Sequence, residues 1–219
     1  MSGDATHWVE WHRAYEDPGS VLARRLEIVE AQLRGALDEM PPGDLRVLSL
    51  CSGDARDLLD VLAVHPRARD VAALVVDLDD ALLGRAASRA GELGLDAVST
   101  RCADAGTTAG YVDWLAVDVL LACGIFGNVS DADVHQCVSG FPAMLRRGGH
   151  VLWTRHRRQP DLTGQIRSWL DSMGFEERAF VTVEGTAAAV GHHVWPMPTT
   201  GTVPLQLFRF VGDGSGARR

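Results

Sequence analysis

The sequence lacks the short patterns that identify several large classes of enzyme. It contains no G-x-S-x-G serine turn, no H-E-x-x-H zinc motif and no G-x-x-x-x-G-K-[ST] phosphate loop. Its few cysteines are spaced too widely for a C-x-x-C pair, so they predict neither a zinc site nor a redox dithiol. They are Cys51, Cys102, Cys123 and Cys137. We therefore expect no metal centre, and zinc proteases, serine hydrolases and P-loop phosphotransferases are disfavoured.

Long apolar runs and an excess of positive charge are also missing. No apolar run approaches the roughly 20 residues that a membrane-spanning helix needs, and no charged and apolar leader pattern opens the chain. The formal net charge is −8, which disfavours a broad nucleic-acid-binding surface. We expect a cytoplasmic protein that meets neither membrane nor nucleic acid, while its oligomeric state stays open.

The composition is that of one globular domain with an alternating α/β pattern. The chain has 219 residues, of which 46% are hydrophobic and 23% charged. From Val47 onward, short apolar runs alternate with helical patterns, which predicts a parallel sheet with helices on both faces. Two strand-like stretches, 176–184 and 205–211, have no helix between them and predict an antiparallel end. The expected fold is a Rossmann-like, doubly wound sheet of seven strands, mostly parallel, with an antiparallel last strand.

Three segments are distinguished within this single domain. Residues 1–44 carry helical patterns and are interpreted as an N-terminal helical lid. Residues 45–212 hold the sheet, and a weak helix is expected near 109–115 within them. Residues 213–219 are polar and Gly-rich and are expected to be disordered.

One stretch, RVLSLCSGDARDLL from Arg46 to Leu59, has the layout of a nucleotide site. A short apolar run predicts a strand, the small residues of 51–55 predict a tight turn, and leucines at helical spacing predict a helix after it. Small side chains let the backbone approach a ligand, and the N–H groups of the following helix point at it. Asp77 ends the next apolar run, 24 residues after Gly53. That interval is close to the roughly 20 residues expected between a glycine turn and a ribose-binding acid.

Five pieces of the sequence, in order, resemble the class I S-adenosylmethionine-dependent methyltransferases. They are VLSLCSGDARDLL, VVDLDDALLGRA, RCADAG, VDVLLACGIFGNVSD and LRRGGHVLWTR, and the resemblance covers roughly Leu45 to Thr154. The resemblance implies S-adenosylmethionine as cofactor and methyl transfer to a small-molecule acceptor, by positioning and general-base assistance. The chain departs from the family's first motif at three positions, where Ser49 replaces an acid and Cys51 and Ala55 replace glycines.

The resemblance also implies roles for residues at the ends of the predicted strands. The turn that follows the first strand would pass beneath the methionine part of the cofactor. Asp77 would hold the ribose hydroxyls, with Asp79 as the alternative acid. Leu78 would lie beside the adenine, and Asp104 would accept a hydrogen bond from its amino group. The implied cofactor-binding set is Ser49, Cys51, Ser52, Gly53, Asp77, Leu78, Asp104, Ala105 and Cys123, together with Tyr15 from the lid.

Catalytic groups are weakly marked, because methyl transfer from a sulfonium mainly needs alignment and removal of a proton. Four candidates follow from their positions: Asn128 after the fourth strand, His156 after the fifth, His193 in a predicted loop before the last strand, and His12 in the lid. For each of them a purely structural role, in a turn or in packing, remains open.

Two other functions stay open beside methyl transfer. The altered first motif is compatible with a cofactor-binding protein that has no turnover, such as a regulatory subunit. The same pocket also supports cyclisation or aminopropyl transfer in similar proteins. A nicotinamide-dependent reductase is disfavoured because the turn does not match G-x-G-x-x-G.

Overall fold

The computed structural model of the chain describes residue 17 and residues 19–211. The helices there are α1 (Val21–Glu39), α2 (Arg56–Leu62), α3 (Asp80–Glu92), α4 (Asp131–Met144) and α5 (Thr163–Met173). The strands are β1 (Leu45–Leu50), β2 (Val71–Asp77), β3 (Val98–Cys102), β4 (Val117–Ala122), β5 (Leu145–His156), β6 (Glu176–Thr182) and β7 (Ala188–Trp195). Among the described residues, no helix has the length and apolar character needed to cross a membrane.

The strands form one seven-stranded sheet in the order β3-β2-β1-β4-β5-β7-β6. The first five strands are parallel, whereas β7 runs antiparallel to both β5 and β6. The predicted fold class is thus confirmed. Since β1 lies between β2 and β4, the strand order reverses beside it, and ligands of open α/β sheets bind at such a point. The carboxyl ends of the parallel strands meet there, at what we call the carboxyl edge.

Strand β1 shows how the sheet divides the core into two layers. Leu48 and Leu50 pack into a first cluster, which includes residues of α4 and α5. Val47 points to the other face, into a second cluster with residues of α1, α2 and α3. Because β1 is buried on both faces, its sequence is a nearly unbroken apolar run rather than an alternating one.

Helix α1 is part of this core. Ser20 caps it by accepting a hydrogen bond from the backbone N–H of Ala23 at 3.0 Å. Leu33 and Leu37 are fully buried, and the helix packs against α2 and β7. The described part of the predicted lid is therefore a layer of the fold itself. The lid candidates His12 and Tyr15, and the tail 213–219, lie outside the described residues.

The last strand was predicted at the wrong place. The final strand is β7 (Ala188–Trp195), whereas the sequence predicts that residues 191–195 lie in a loop before the last strand. The structure buries every residue of β7, the histidines included. Residues 205–211, predicted as the strand, instead join the rest of the chain through two isolated bridges, Thr107 with Gln206 and Val129 with Phe210.

The helix predicted near residues 109–115 is also absent. The structure has two single 3-10 turns there, Thr108–Gly110 and Val112–Trp114. Tyr111 between them is fully buried, and its hydroxyl donates to the carbonyl O of Ala105 at 2.8 Å. This anchor holds the segment in the core as a compact turn. Residues 199–211, which we call the C-terminal strap, contribute Leu207 and Phe208 to the same core cluster as Tyr111.

Candidate cofactor-binding site

The turn after β1 has the backbone that glycines normally provide. Cys51, Gly53 and Ala55 have φ angles of +52°, +56° and +53°, all in the left-handed region. A residue with a Cβ adopts that region at a cost of roughly 1–2 kcal/mol. The turn therefore keeps an alternating left-handed conformation even at the two positions where side chains replace glycines.

The two extra side chains are accommodated inside the fold. Ala55 is fully buried in the second core cluster, and Cys51 packs against the first cluster. Burial raises the pKa of the Cys51 thiol, and the nearby carboxylates of Asp77 and Asp104 raise it further. The thiol therefore stays protonated, and the two predicted cofactor-binding acids lie near it.

Asp77 is fixed against this turn. It ends β2, and its Oδ2 accepts a hydrogen bond from the backbone N–H of Gly53 at 2.8 Å. Its Oδ1 accepts another from the N–H of Asp79 at 2.9 Å. An ionised carboxylate has about four acceptor positions, so this half-buried group retains capacity for further donors. Ser52 ties the turn to the same strand, because its N–H and its hydroxyl both donate to the carbonyl O of Val76 at 3.2 Å.

The alternative acid has a different task. Asp79 caps α3, where its Oδ1 accepts from the backbone N–H groups of Ala81 at 3.0 Å and Leu82 at 3.1 Å. Between the two acids, Leu78 exposes 59% of its surface at the carboxyl edge. This geometry favours Asp77 over Asp79 as the acid for a ribose, with an apolar side chain directly beside it.

Asp104 and Ala105 occupy the loop after β3. The exposed Asp104 accepts a hydrogen bond at Oδ1 from the N–H of Gly106 at 2.8 Å. Within the described part of the chain, its Oδ2 receives no hydrogen bond. Ala105 is buried and packs in the first core cluster, so it lies beneath the surface of this loop.

The loop after β4 begins at Cys123 and contains Asn128. Burial raises the pKa of the Cys123 thiol, and the neighbouring carboxylate of Asp57 is the next cause. The exposed Asn128 donates from Nδ2 to the carbonyl O of Gly124 at 2.8 Å, which stabilises its own loop. The side-chain oxygen of Asn128 makes no hydrogen bond to the described residues.

His156 stands at the end of β5, beside that loop. Its ring lies against Gly127, where an added Cβ would come within 3.3 Å of the imidazole Cδ2. Its Nδ1 is buried without a partner among residues 17 and 19–211. Burial lowers the pKa of His156, and the charges of Arg155 and Arg158 lower it further. The imidazole is therefore neutral at neutral pH and able to accept a proton.

His193 and Ser49 lie apart from these groups. His193 pairs in register with Val151 within the sheet and is buried, accepting from Trp153 Nε1 at 3.3 Å and lying 3.4 Å from a Glu177 oxygen. The proposed substrate-facing role does not fit this interior position, because the strand carries the ring away from the carboxyl edge. Ser49 is buried within β1.

Two charged residues at this edge are not in the predicted set of site residues. Asp57, in the first turn of α2, has its pKa raised by burial to about 6. Arg155 is buried, donates to the carbonyl O of Phe126, and lies 3.5 Å from Asp131. An acid in the first turn of the helix that follows the small-residue turn is a signal that could have identified Asp57. Nothing local indicates the burial of Arg155.

The sequence matches no family model and no curated protein. Solved structures do match. A TehB-like S-adenosylmethionine-dependent methyltransferase from Corynebacterium glutamicum is 14% identical with a TM-score of 0.58, covering 86% of this chain and 96% of that one. Precorrin-6y C5,15-methyltransferase from Geobacter metallireducens is 13% identical with a TM-score of 0.56, covering 82% and 90%. The [4+2]-cyclase SpnF is 15% identical with a TM-score of 0.55, covering 76% and 81%. The chain thus has the fold of the class I S-adenosylmethionine-dependent methyltransferases.

Proposed function

We propose that this protein binds S-adenosylmethionine at the carboxyl edge and transfers its methyl group to a small-molecule acceptor in the cytoplasm. The observation that carries the proposal is the hydrogen bond from the N–H of Gly53 to Asp77, which joins a left-handed turn to an acid at the end of the neighbouring strand. When bound, the cofactor supplies an electrophilic methyl group on a positively charged sulfur.

The residues at the edge fit such a cofactor. The turn 51–55 brings backbone close to a ligand, and Asp77 retains acceptor positions for two ribose hydroxyls. Leu78 offers an exposed apolar surface for a purine, and Asp104 has an unused carboxylate oxygen for its amino group. The net charge of −8 favours a small acceptor over a nucleic acid.

His156 is the residue best placed to assist the transfer. Its neutral imidazole has a buried Nδ1 without a described partner, next to the loop that follows β4. It would accept the proton that an O–H or N–H acceptor loses, and Asn128 would orient the acceptor from the same loop. The buried guanidinium of Arg155 holds that loop in place through the carbonyl of Phe126.

The first experiment is calorimetry with S-adenosylmethionine and S-adenosylhomocysteine on a matched pair of variants. Asp77→Asn removes the charge while keeping the shape, and should weaken binding by about 1–3 kcal/mol through loss of charge-assisted hydrogen bonds. Asp79→Asn removes the same charge two residues away and should leave affinity unchanged, because Asp79 caps α3. Absence of binding by the wild type at millimolar ligand removes the proposal, and weakening by Asp79→Asn alone would mean that the ribose is misplaced.

A second function is supported by the altered first motif and by the likeness to SpnF, whose structure is that of a [4+2]-cyclase. A protein of this fold could hold the cofactor without transferring its methyl group. The two are distinguished by incubating the cofactor-bound protein with a broad panel of alcohols, phenols, amines and carboxylic acids. Formation of S-adenosylhomocysteine supports methyl transfer, and tight binding without any turnover supports the second function.

A further inference from the structure

The C-terminal strap, residues 199–211, crosses the molecule and ends at the carboxyl edge. Near its start, the hydroxyl of Thr199 donates to the carbonyl O of Leu145 at 2.8 Å, at the beginning of β5. Midway, Gln136 of α4 donates from its side chain to the carbonyl O of Gln206. At the far end, the N–H of Val211 donates to the carbonyl O of Asn128 at 2.9 Å. One segment therefore reaches from the opposite edge of the sheet to the candidate site.

The strap packs beside the 3-10 turns between β3 and β4, where the N–H of Thr108 donates to the carbonyl O of Leu205 at 3.0 Å. Leu207 and Phe208 are buried in the first core cluster. Gly140 of α4 allows this packing, because a Cβ there would come within 3.0 Å of Leu207 Cδ2. The strap is consequently a fixed part of the wall beside the site.

The strap is hydrogen-bonded to the loop that carries Asp104. The carbonyl O of Gly106 accepts from the N–H of Leu207 at 2.7 Å and from Gln206 Nε2 at 2.9 Å. A Cβ at Gly106 would collide with the carbonyl O of Phe208, so glycine is required at this contact. The N–H of the same glycine donates to Asp104 Oδ1 at 2.8 Å. The orientation of the Asp104 carboxylate thus depends on the strap through the backbone of one residue, Gly106, whose N–H binds the carboxylate and whose C=O binds the strap.

Gln206 is the side chain on which this arrangement converges. Its amide group donates to the carbonyl oxygens of both Gly106 and Phe208, the latter at 2.6 Å. It thereby joins the strap's own backbone to the loop. A carboxylate of the same shape could not replace it, because both partners are acceptors and only an N–H donor satisfies them.

We propose that Gln206 is a positioning residue for recognition of the cofactor's purine: acting through Gly106, it holds Asp104 so that its free carboxylate oxygen faces the exocyclic amino group. This inference rests on the proposed function. Its consequence is selectivity, since a correctly held carboxylate accepts from the amino group of adenine and is repelled by the carbonyl oxygen of hypoxanthine.

The test is calorimetry with S-adenosylhomocysteine and S-inosylhomocysteine, which differ at that purine substituent. The wild type should prefer the adenine ligand by about tenfold or more, the scale of a charged hydrogen bond left unmade. Gln206→Ala and the isosteric Gln206→Glu should reduce the preference to near unity, whereas Gln206→Lys, which keeps N–H donors, should retain part of it. Thr199→Val removes a hydrogen bond at the other end of the strap and should keep the full preference.

Thermal unfolding of each variant identifies those that fold, and the Glu and Lys variants decide the matter if the Ala variant does not. An unchanged preference in folded Gln206→Glu overturns the inference, as does an equal loss in Thr199→Val. A wild type that binds both ligands equally well overturns it too, while leaving cofactor binding intact. A wild type that binds neither ligand overturns the proposed function and the inference together.

Discussion

We expect Asp57 to lower the stability of this fold at neutral pH, by an amount that follows from its surroundings. It lies half-buried in the first turn of α2, facing α1. Burial raises its pKa from 3.8 to about 6; the charge of Arg25 opposes the shift, while Asp54 and Glu30 add to it. A difference of about two pKa units corresponds to roughly 3 kcal/mol. Because the side chain is partly exposed, solvent screening reduces the expected effect to about 1–3 kcal/mol.

The sign follows from proton binding. The folded chain holds the Asp57 proton to a higher pH than the unfolded chain does, so this contribution to stability is complete below about pH 4 and is lost as the pH rises through about 6. Asp57→Asn removes the charge at every pH and keeps an oxygen for the N–H of Leu58, which the carboxylate accepts at 2.9 Å. The variant should therefore be more stable than the wild type at pH 8 and nearly equal to it at pH 4.

The assay is urea unfolding of wild type, Asp57→Asn and the control Asp60→Asn at the two pH values. Asp60 lies on the same helix but pairs with Arg89, so its variant should show no gain at pH 8. A stability profile of Asp57→Asn that runs parallel to the wild type between pH 4 and pH 8 would refute the reasoning. A confirmed gain would mark Asp57 as an acid retained at a stability cost, which is typical of functional sites.

Two further predictions concern the core and the turn. Burial lowers the pKa of His150 to about 4. Burial, together with the charges of His150 and His193, lowers the pKa of His192 to about 3. As the pH falls below about 6.5, these two histidines therefore take up protons in the unfolded chain but not in the folded one. Unfolding free energy should thus fall between pH 6.5 and pH 4, and His150→Leu should flatten that slope by about 1–3 kcal/mol; an unchanged slope by urea unfolding would contradict it. At the turn, Ala55→Gly should be neutral within about 1 kcal/mol, because relief of the left-handed strain offsets the lost methyl burial. Ala55→Val should cost at least about 2 kcal/mol, and equal stability of the two variants in the same assay would show that the turn is not strained.

The parallel strands could be predicted because their burial is local in sequence. Strands β1, β2 and β4 are covered on both faces, so each reads as an apolar run, and its end marks the carboxyl edge. The position of β7 could not be predicted, because the burial of this strand depends on residues that are distant in the sequence. Gly191 is needed there since any Cβ would overlap the ring of Trp153, and His192 bonds to His150 at 2.7 Å. Those contacts join residues about 40 positions apart, which no local pattern reports.

The strap illustrates a second limit. Leu207 and Phe208 give residues 205–211 the apolar content of a strand, yet they pack on α4 instead of pairing in the sheet. The positions of Asp77 and Asp104 follow from the rule that sites lie at strand ends. The backbone N–H of Gly106 binds the side chain of Asp104 within one loop. The strap that holds this loop lies 100 residues further along the chain, and no local pattern in the sequence indicates that contact.

The structure shows how the turn after β1 accommodates departures from the first motif of the methyltransferases that the sequence resembles. Cys51 and Ala55 both have left-handed φ angles. This conformation costs a residue with a Cβ roughly 1–2 kcal/mol relative to a right-handed or extended backbone. Strain of this kind persists only where the surrounding packing imposes it, and it concentrates at ligand sites. Both side chains are directed into the core clusters, so the turn keeps its shape without the glycines. In the proposed complex another acid would have to supply the carboxylate that Ser49 lacks, and we suggest Asp57, whose charge raises the pKa of Cys123 at the end of β4.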